Sequence, residues 1–322
     1  MILTVTPNPA LDKFYWVAEL PKTLGPVEEG IVVRAEKSLT SAGGKGLNVS
    51  MFLAAHGVET VAMGFLAGHT GQIILRDLLS RGVSANFVWI EGENRTNVAL
   101  ILRGQEYHPI HIHEEGPSIP KEAVGIFLRK YEAMLRKANF VVLAGILAPG
   151  LSPDFYRELA RRAREKGVKV VVHAGGEALL HTFRERPFLV KPDVREAPRL
   201  GDLSVRTKEE IIAAGKQAIQ EGVELCLISH HLTGDILISA DGVWEFETRV
   251  PLSTFRNLVG ADDALVGGIL LGLTRGMDLI ESVRYGMAAA VASAEVEEKL
   301  CLDQGKIAKE MEHVEVRYLG AK

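Results

Sequence analysis

Continuously apolar, β-branched runs alternate along this chain with longer stretches whose apolar residues return every three or four positions. Residues 2–6, 60–63, 140–143, 168–172, 189–190 and 225–228 are of the first kind and predict buried strands. Residues 46–56, 70–81, 121–137, 153–166 and 208–221 are of the second kind and predict helices. Strands apolar on both faces that alternate with helices predict a mostly parallel sheet between two helical layers, a three-layer α/β fold. One further run, Ala264 to Leu273, has no polar face and predicts a buried helix.

Two segments break this rhythm. The first has strand-like pieces, Phe14 to Val17 and Ile31 to Val33, around a Pro/Gly turn. The second places Val98 to Leu102 and Tyr107 to His113 around Arg103-Gly104-Gln105. Neither contains a helix, so both read as antiparallel additions, a small β lid from about 12–37 and 94–114 that covers an active site. No repeat, low-complexity tract or linker divides the chain, and 1–322 reads as a single domain carrying that lid.

Composition removes several classes of function. The net charge of -4, from 37 basic and 41 acidic residues, gives no electrostatic case for nucleic acid or an anionic membrane. Aromatic residues, at 6%, leave little for stacking bases. No apolar run approaches the roughly 20 residues that span a bilayer. Two cysteines, Cys226 and Cys301, suit a reducing compartment. The first residues, MILTVTPNPALDK, lack a basic stretch before an apolar core. The expectation is a cytoplasmic protein.

The candidate chemistry gathers where turns feed helices. Val259-Gly260-Ala261-Asp262-Asp263 leads into the buried apolar helix, whose first amides need an acceptor. A phosphate fits there; so does Asp262 or Asp263 as an ordinary N-cap. Ser41-Ala42-Gly43-Gly44-Lys45-Gly46-Leu47-Asn48 opens another helix, and a lysine at a helix N-terminus opposes the macrodipole unless an anion joins it. Asn48, one turn in, reaches either a ligand hydroxyl or solvent. Thr6-Pro7-Asn8-Pro9-Ala10-Leu11-Asp12 follows the first strand, where ligands of parallel sheets bind, and Asp12 suits two neighbouring sugar hydroxyls. Arg95 and Asn97 flank the second lid segment, with a guanidinium suited to phosphate. Asp193 and Glu196, spaced i,i+3 after Lys191-Pro192, offer hard oxygens for Mg²⁺ or simply cap a helix. The P-loop and GxGxxG signatures are missing.

Together these motifs resemble the PfkB (ribokinase-like) family of carbohydrate kinases, in the family's order from Leu3 to about Glu297. TxNPAxD with AGGKGxN is similar to the branch of 1-phosphofructokinases and tagatose-6-phosphate kinases, which act on hexoses already phosphorylated. The resemblance implies a ribokinase-like fold and ATP-dependent transfer to a phosphorylated ketohexose: fructose 1-phosphate, fructose 6-phosphate or tagatose 6-phosphate. It implies Asp263 as catalytic base and Gly260, Ala261 and Asp262 as an anion hole. Asp12, Gly43, Gly44, Lys45, Asn48, Arg95 and Asn97 would hold the sugar phosphate. Lys191, Asp193, Ser229, His231 and Gly234 would serve the nucleotide, with Asp193 and Glu196 on Mg²⁺.

Four positions depart from the family pattern. Asp262 replaces the second glycine of GAGD, His173 an aspartate, Asp193 the asparagine of NxxE, and His231 a glycine of the nucleotide loop. A second carboxylate about 4 Å from a phosphate repels it by ~4 kcal/mol in a partly screened site. This leaves two other readings: a sugar-phosphate-binding protein with impaired transfer, and a kinase for an unphosphorylated sugar or nucleoside. The lid's unpaired edges invite a second copy, so a homodimer is expected.

Overall fold

Apolar residues alternate between two cores along the central strands, and that alternation sets the architecture. The structure is a computed structural model and describes residues 1–19, 32–106, 109–194 and 198–320. Its first half contains β1 (Ile2–Thr6), β2 (Ala10–Val17), β3 (Ala35–Gly43), α1 (Lys45–Ala55), β4 (Thr60–Ala67) and α2 (Gly68–Ser80). Then come β5 (Ser84–Ala85), β6 (Val88–Ile90), β7 (Arg95–Leu102), β8 (Ile110–His113), α3 (Lys121–Leu135) and β9 (Phe140–Ala144). The second half begins with α4 (Phe155–Glu165), β10 (Lys169–His173), α5 (Gly176–Leu180), β11 (Leu189–Val190), β12 (Arg199–Leu200), β13 (Leu203–Ser204) and α6 (Lys208–Gln220). It ends with β14 (Leu225–His231), β15 (Gly234–Ser239), β16 (Val243–Thr248), α7 (Ala261–Thr274), α8 (Leu279–Ala294), α9 (Gln304–Glu310) and β17 (Val314–Gly320).

The main sheet runs β17-β16-β15-β14-β11-β10-β9-β1-β4-β5, and β6 also pairs with β4. From β14 to β5 and β6 every pairing is parallel. Along β9, Val141 and Leu143 face one core while Val142 and Ala144 face the other. The first core is closed by α3, α4 and α6, the second by α1, α2, α7, α8 and α9. Burial on both faces is why these strands read as unbroken apolar runs. The expected α/β three-layer fold is the one formed. The sequence reading missed β15, β16 and β17, which extend the sheet antiparallel from β14. Their alternating polar residues, as in Val243 to Thr248, mark a less enclosed edge.

A second sheet, β3-β2-β7-β8, is built from both segments that broke the helical rhythm. Two corrections apply. The strand expected near Ile31 to Val33 lies instead at Ala35–Gly43; Val32 and Val33 are not in a strand, and Ile31 is outside the described residues. The two additions are also not wholly antiparallel, because β2 and β7 pair parallel. The polar residues that mask β3 in the sequence are its exposed first half; its last three residues, Ser41 to Gly43, are buried against the site. No helix among the described residues is long and apolar enough to cross a membrane.

Candidate active site

The carboxyl ends of β1, β10, β11 and β14 meet the N-termini of α1 and α7, and the candidate residues collect on that edge. α7 is apolar around its circumference because it lies within the second core, buried from Asp263 to Gly272. Its N-cap is Gly260 at φ 90°, with no capping side chain, so neither Asp262 nor Asp263 is the N-cap. An added Cβ on Gly260 would stand 2.7 Å from the Lys299 carbonyl oxygen, so glycine is required for space as well as for φ. Asn257, wholly buried, fixes the approach to the turn by accepting from the Val259 N–H at 3.0 Å and donating to the Glu297 carbonyl.

Asp263 enters the site from the first turn of α7. Asn48 Nδ2 donates to its Oδ2 at 2.6 Å, so Asn48 reaches a carboxylate rather than solvent. His173 Nε2 lies 3.2 Å from Oδ1, a contact that is an ion pair only if the ring is protonated. Burial by itself pushes the Asp263 carboxyl up, but His173, Lys45 and Asn48 together outweigh it and hold the group below its usual value. The carboxylate is therefore ionised at neutral pH, as a proton acceptor must be.

Asp262 points toward a buried cation. Lys191, at the end of β11 and almost wholly inaccessible, donates to Ser229 Oγ at 2.6 Å. It lies 3.3 Å from Asp235 and 3.6 Å from Asp262. Ser229 also donates to Asp235 at 3.0 Å. Asp262 thus faces a cation of the chain, one that it shares with Asp235. Lys45, the first residue of α1, pairs with Asp193 at 2.9 Å, so a residue from the sugar-side motif meets one from the nucleotide-side motif. Glu196 lies outside the described residues.

The lid supplies a third cluster. Asp12 on β2 receives Asn97 Nδ2 at 2.9 Å on one oxygen and Lys299 Nζ at 2.8 Å on the other. Gly43 pairs with Ala10 across the lid, and a Cβ there would fall within 2.3 Å of the Asp12 carboxylate. Gly44, at φ 114°, is the N-cap of α1. Arg95 is buried, with Nη1 donating to Asn97 Oδ1 at 3.0 Å and Nε to the Asn8 carbonyl at 3.2 Å. Burial pushes its guanidinium down from its usual value against the opposing charges of Asp12 and Glu114. Thr6 Oγ1, Asn8 Oδ1 and Asn48 Oδ1 are buried without hydrogen-bond partners. Such atoms suit a ligand rich in hydroxyls.

The candidate nucleotide loop sits at a bulge where β14 turns into β15. His231 is exposed there, beside Thr233 and Glu247, and Gly234 passes close under its ring. Thus Asp12, Arg95 and Asn97 form one cluster, Asn48 and Asp263 a second, and Lys191, Ser229 and Asp262 a third, while His231 stands at the rim. Sequence reasoning missed Lys299, Asp235, Asn8 and Asn257. Asp235 carried a signal, since it follows Gly234 as a polar residue in an apolar strand. Lys299 carried none, because Glu297-Glu298-Lys299 reads as a solvated charge run.

A model of the pfkB family of carbohydrate kinases matches residues 16–301. The 1-phosphofructokinase of Bacillus subtilis is 33% identical over 298 residues, covering 92% of this chain and 94% of that protein. The 1-phosphofructokinase of Borreliella burgdorferi is 31% identical over 294 residues, covering 91% and 92% respectively. Among solved structures, a possible 1-phosphofructokinase from Thermotoga maritima has a TM-score of 0.90 at 30% identity, covering 99% of this chain and all of that one.

Proposed function

The chain belongs to the pfkB family of carbohydrate kinases, and on that premise we propose that it transfers the γ-phosphoryl group of ATP to a free hydroxyl of a phosphorylated ketohexose, with fructose 1-phosphate as the preferred acceptor. The observation that carries this reading is a buried, ionised Asp263 at a helix N-terminus, with Lys45 and Lys191 nearby and unpaired buried oxygens beside it. The names of the two curated relatives support fructose 1-phosphate over fructose 6-phosphate and tagatose 6-phosphate.

Asp263 takes the hydroxyl proton as the sugar oxygen bonds to the γ-phosphorus and the bond to the departing ADP oxygen breaks. The turn at Gly260, Ala261 and Asp262 receives the charge that develops, so that transfer rests on positioning and electrostatics. Asp12 and Asn97 orient sugar hydroxyls, and Lys45 and Arg95 meet the acceptor's own phosphate. Lys191, Ser229, His231 and Gly234 face the nucleotide.

Among the described residues no group of three or more His, Cys, Asp or Glu could hold a metal ion alone. Mg²⁺ takes one or two carboxylates and completes its shell with phosphates and water. Asp193 is the described carboxylate for it, and the ion would supply neutralisation of phosphate charge.

The test is ADP release with MgATP across fructose 1-phosphate, fructose 6-phosphate, tagatose 6-phosphate and their unphosphorylated parents. Turnover greatest on fructose 1-phosphate is expected; turnover only on an unphosphorylated parent sugar would overturn the reading. Because Asp262 faces Lys191, Asp262→Gly is expected to change kcat/KM for ATP by less than about tenfold, or ~1.4 kcal/mol. A gain of several orders of magnitude would instead mark the native chain as an impaired kinase and favour the binding-protein reading. On the lid, Ile110 and Ile112 are exposed on edge strand β8, where a second copy would cover them. A homodimer is the proposed state, and light scattering giving a monomer at high micromolar concentration would remove it.

A further inference from the structure

His173 ends β10 wholly buried, and the hydrogen positions on its ring follow from its neighbours. Nδ1 lies 3.0 Å from the Lys191 carbonyl oxygen. A carbonyl only accepts, so Nδ1 carries the hydrogen. Nε2 then faces Asp263 Oδ1 at 3.2 Å. In a neutral ring that nitrogen is a lone pair directed at a carboxylate oxygen. Nε2 and Oδ1 are both buried, and neither has another hydrogen-bond partner. One added proton satisfies both atoms.

We propose that His173 and Asp263 form a buried imidazolium–carboxylate dyad, in which His173 is the positioning residue for the base of phosphoryl transfer. This rests on the reading of Asp263 as that base. The imidazolium holds Oδ1 and leaves Oδ2, steadied by Asn48, to take the hydroxyl proton. It also adds a positive charge beside the carboxylate, so that the base stays ionised in an enclosed site. The proton on Nε2 is not consumed, because the hydroxyl proton goes to Oδ2. The other charged groups of this neighbourhood are Lys45 with its partner Asp193, and the Lys191 ammonium with Asp235 and Asp262.

The dyad predicts a rate that falls on the acid side, when Asp263 gains a proton. His173→Gln keeps a neutral donor near Oδ1 and removes the charge. For this variant kcat is expected to fall about tenfold with little change in either KM, and the acid limb to move up in pH. An acid limb that stays in place in the folded variant would overturn the charge role. A purely structural residue would lower stability without moving that limb.

A second measurement does not depend on turnover or on the variant folding. In ¹⁵N-histidine-labelled native protein at neutral pH, one ring should carry hydrogens on both nitrogens and revert to the Nδ1–H form in Asp263→Asn. Finding only neutral rings at that site would remove the dyad. If no sugar phosphate is turned over but the doubly protonated ring is present, the kinase reading fails while the dyad stands.

Discussion

Asp263→Asn is expected to lower kcat by about 10³-fold or more, the largest effect of any single substitution in this chain. General-base assistance contributes ~10²–10⁴-fold in enzymes, and an amide cannot take the hydroxyl proton. The KM values should change little, because Asp12, Lys45 and Arg95 are untouched and the amide keeps the shape of the carboxylate. The fold should survive, since α7 is capped by the Gly260 turn rather than by this side chain.

The pH dependence of stability provides an independent check on the same variant. The Asp263 carboxyl is held below its usual value in the folded chain, so its ionised form contributes stability above the ordinary carboxylate pKa of ~4, and that contribution is lost as pH falls through the lower folded value. The native protein's melting temperature should therefore drop toward that of Asp263→Asn on acidification. Kinetics close to native in Asp263→Asn would end the assignment of this residue as the base.

The parallel core was legible in the sequence because burial on both faces leaves an unmistakable apolar run in each strand. The antiparallel extension was not, since strands such as β16 carry charged residues, Glu245 and Glu247, that imitate loop composition. In the candidate site, the turns were legible where a local motif fixes them: Gly44 and Gly260 both have positive φ at helix starts. The site was illegible where meaning depends on a partner distant in sequence. Asp262 read as a repulsive charge until the fold brought Lys191, on another element, within 3.6 Å. His173 read as a departure from a pattern, yet its two neighbours, from β11 and α7, define what its nitrogens do.

Lys299 shows the same limit most clearly, and its removal is the second large effect expected. It follows α8 in a run of charged residues, yet its ammonium is buried between Asp12 Oδ2 and the Ala42 carbonyl oxygen. Its backbone also crowds Gly260. One residue thus braces both the Asp12 carboxylate and the turn that carries Asp263. Lys299→Met removes the cation on Asp12 Oδ2, and breaking a buried pair in this way costs about 3 kcal/mol or more. A clear fall in melting temperature is expected, together with a rise in KM for the sugar phosphate, because Asp12 is no longer fixed on both oxygens. Lys299→Arg should recover part of the stability if the charge matters more than the fit. Asp12→Asn combined with Lys299→Met separates the two effects: removing the orphaned charge should restore stability beyond the sum of the single changes, while sugar-phosphate binding stays weak. Additive losses in that double-mutant cycle would show that Lys299 acts through its packing on Gly260 rather than through Asp12.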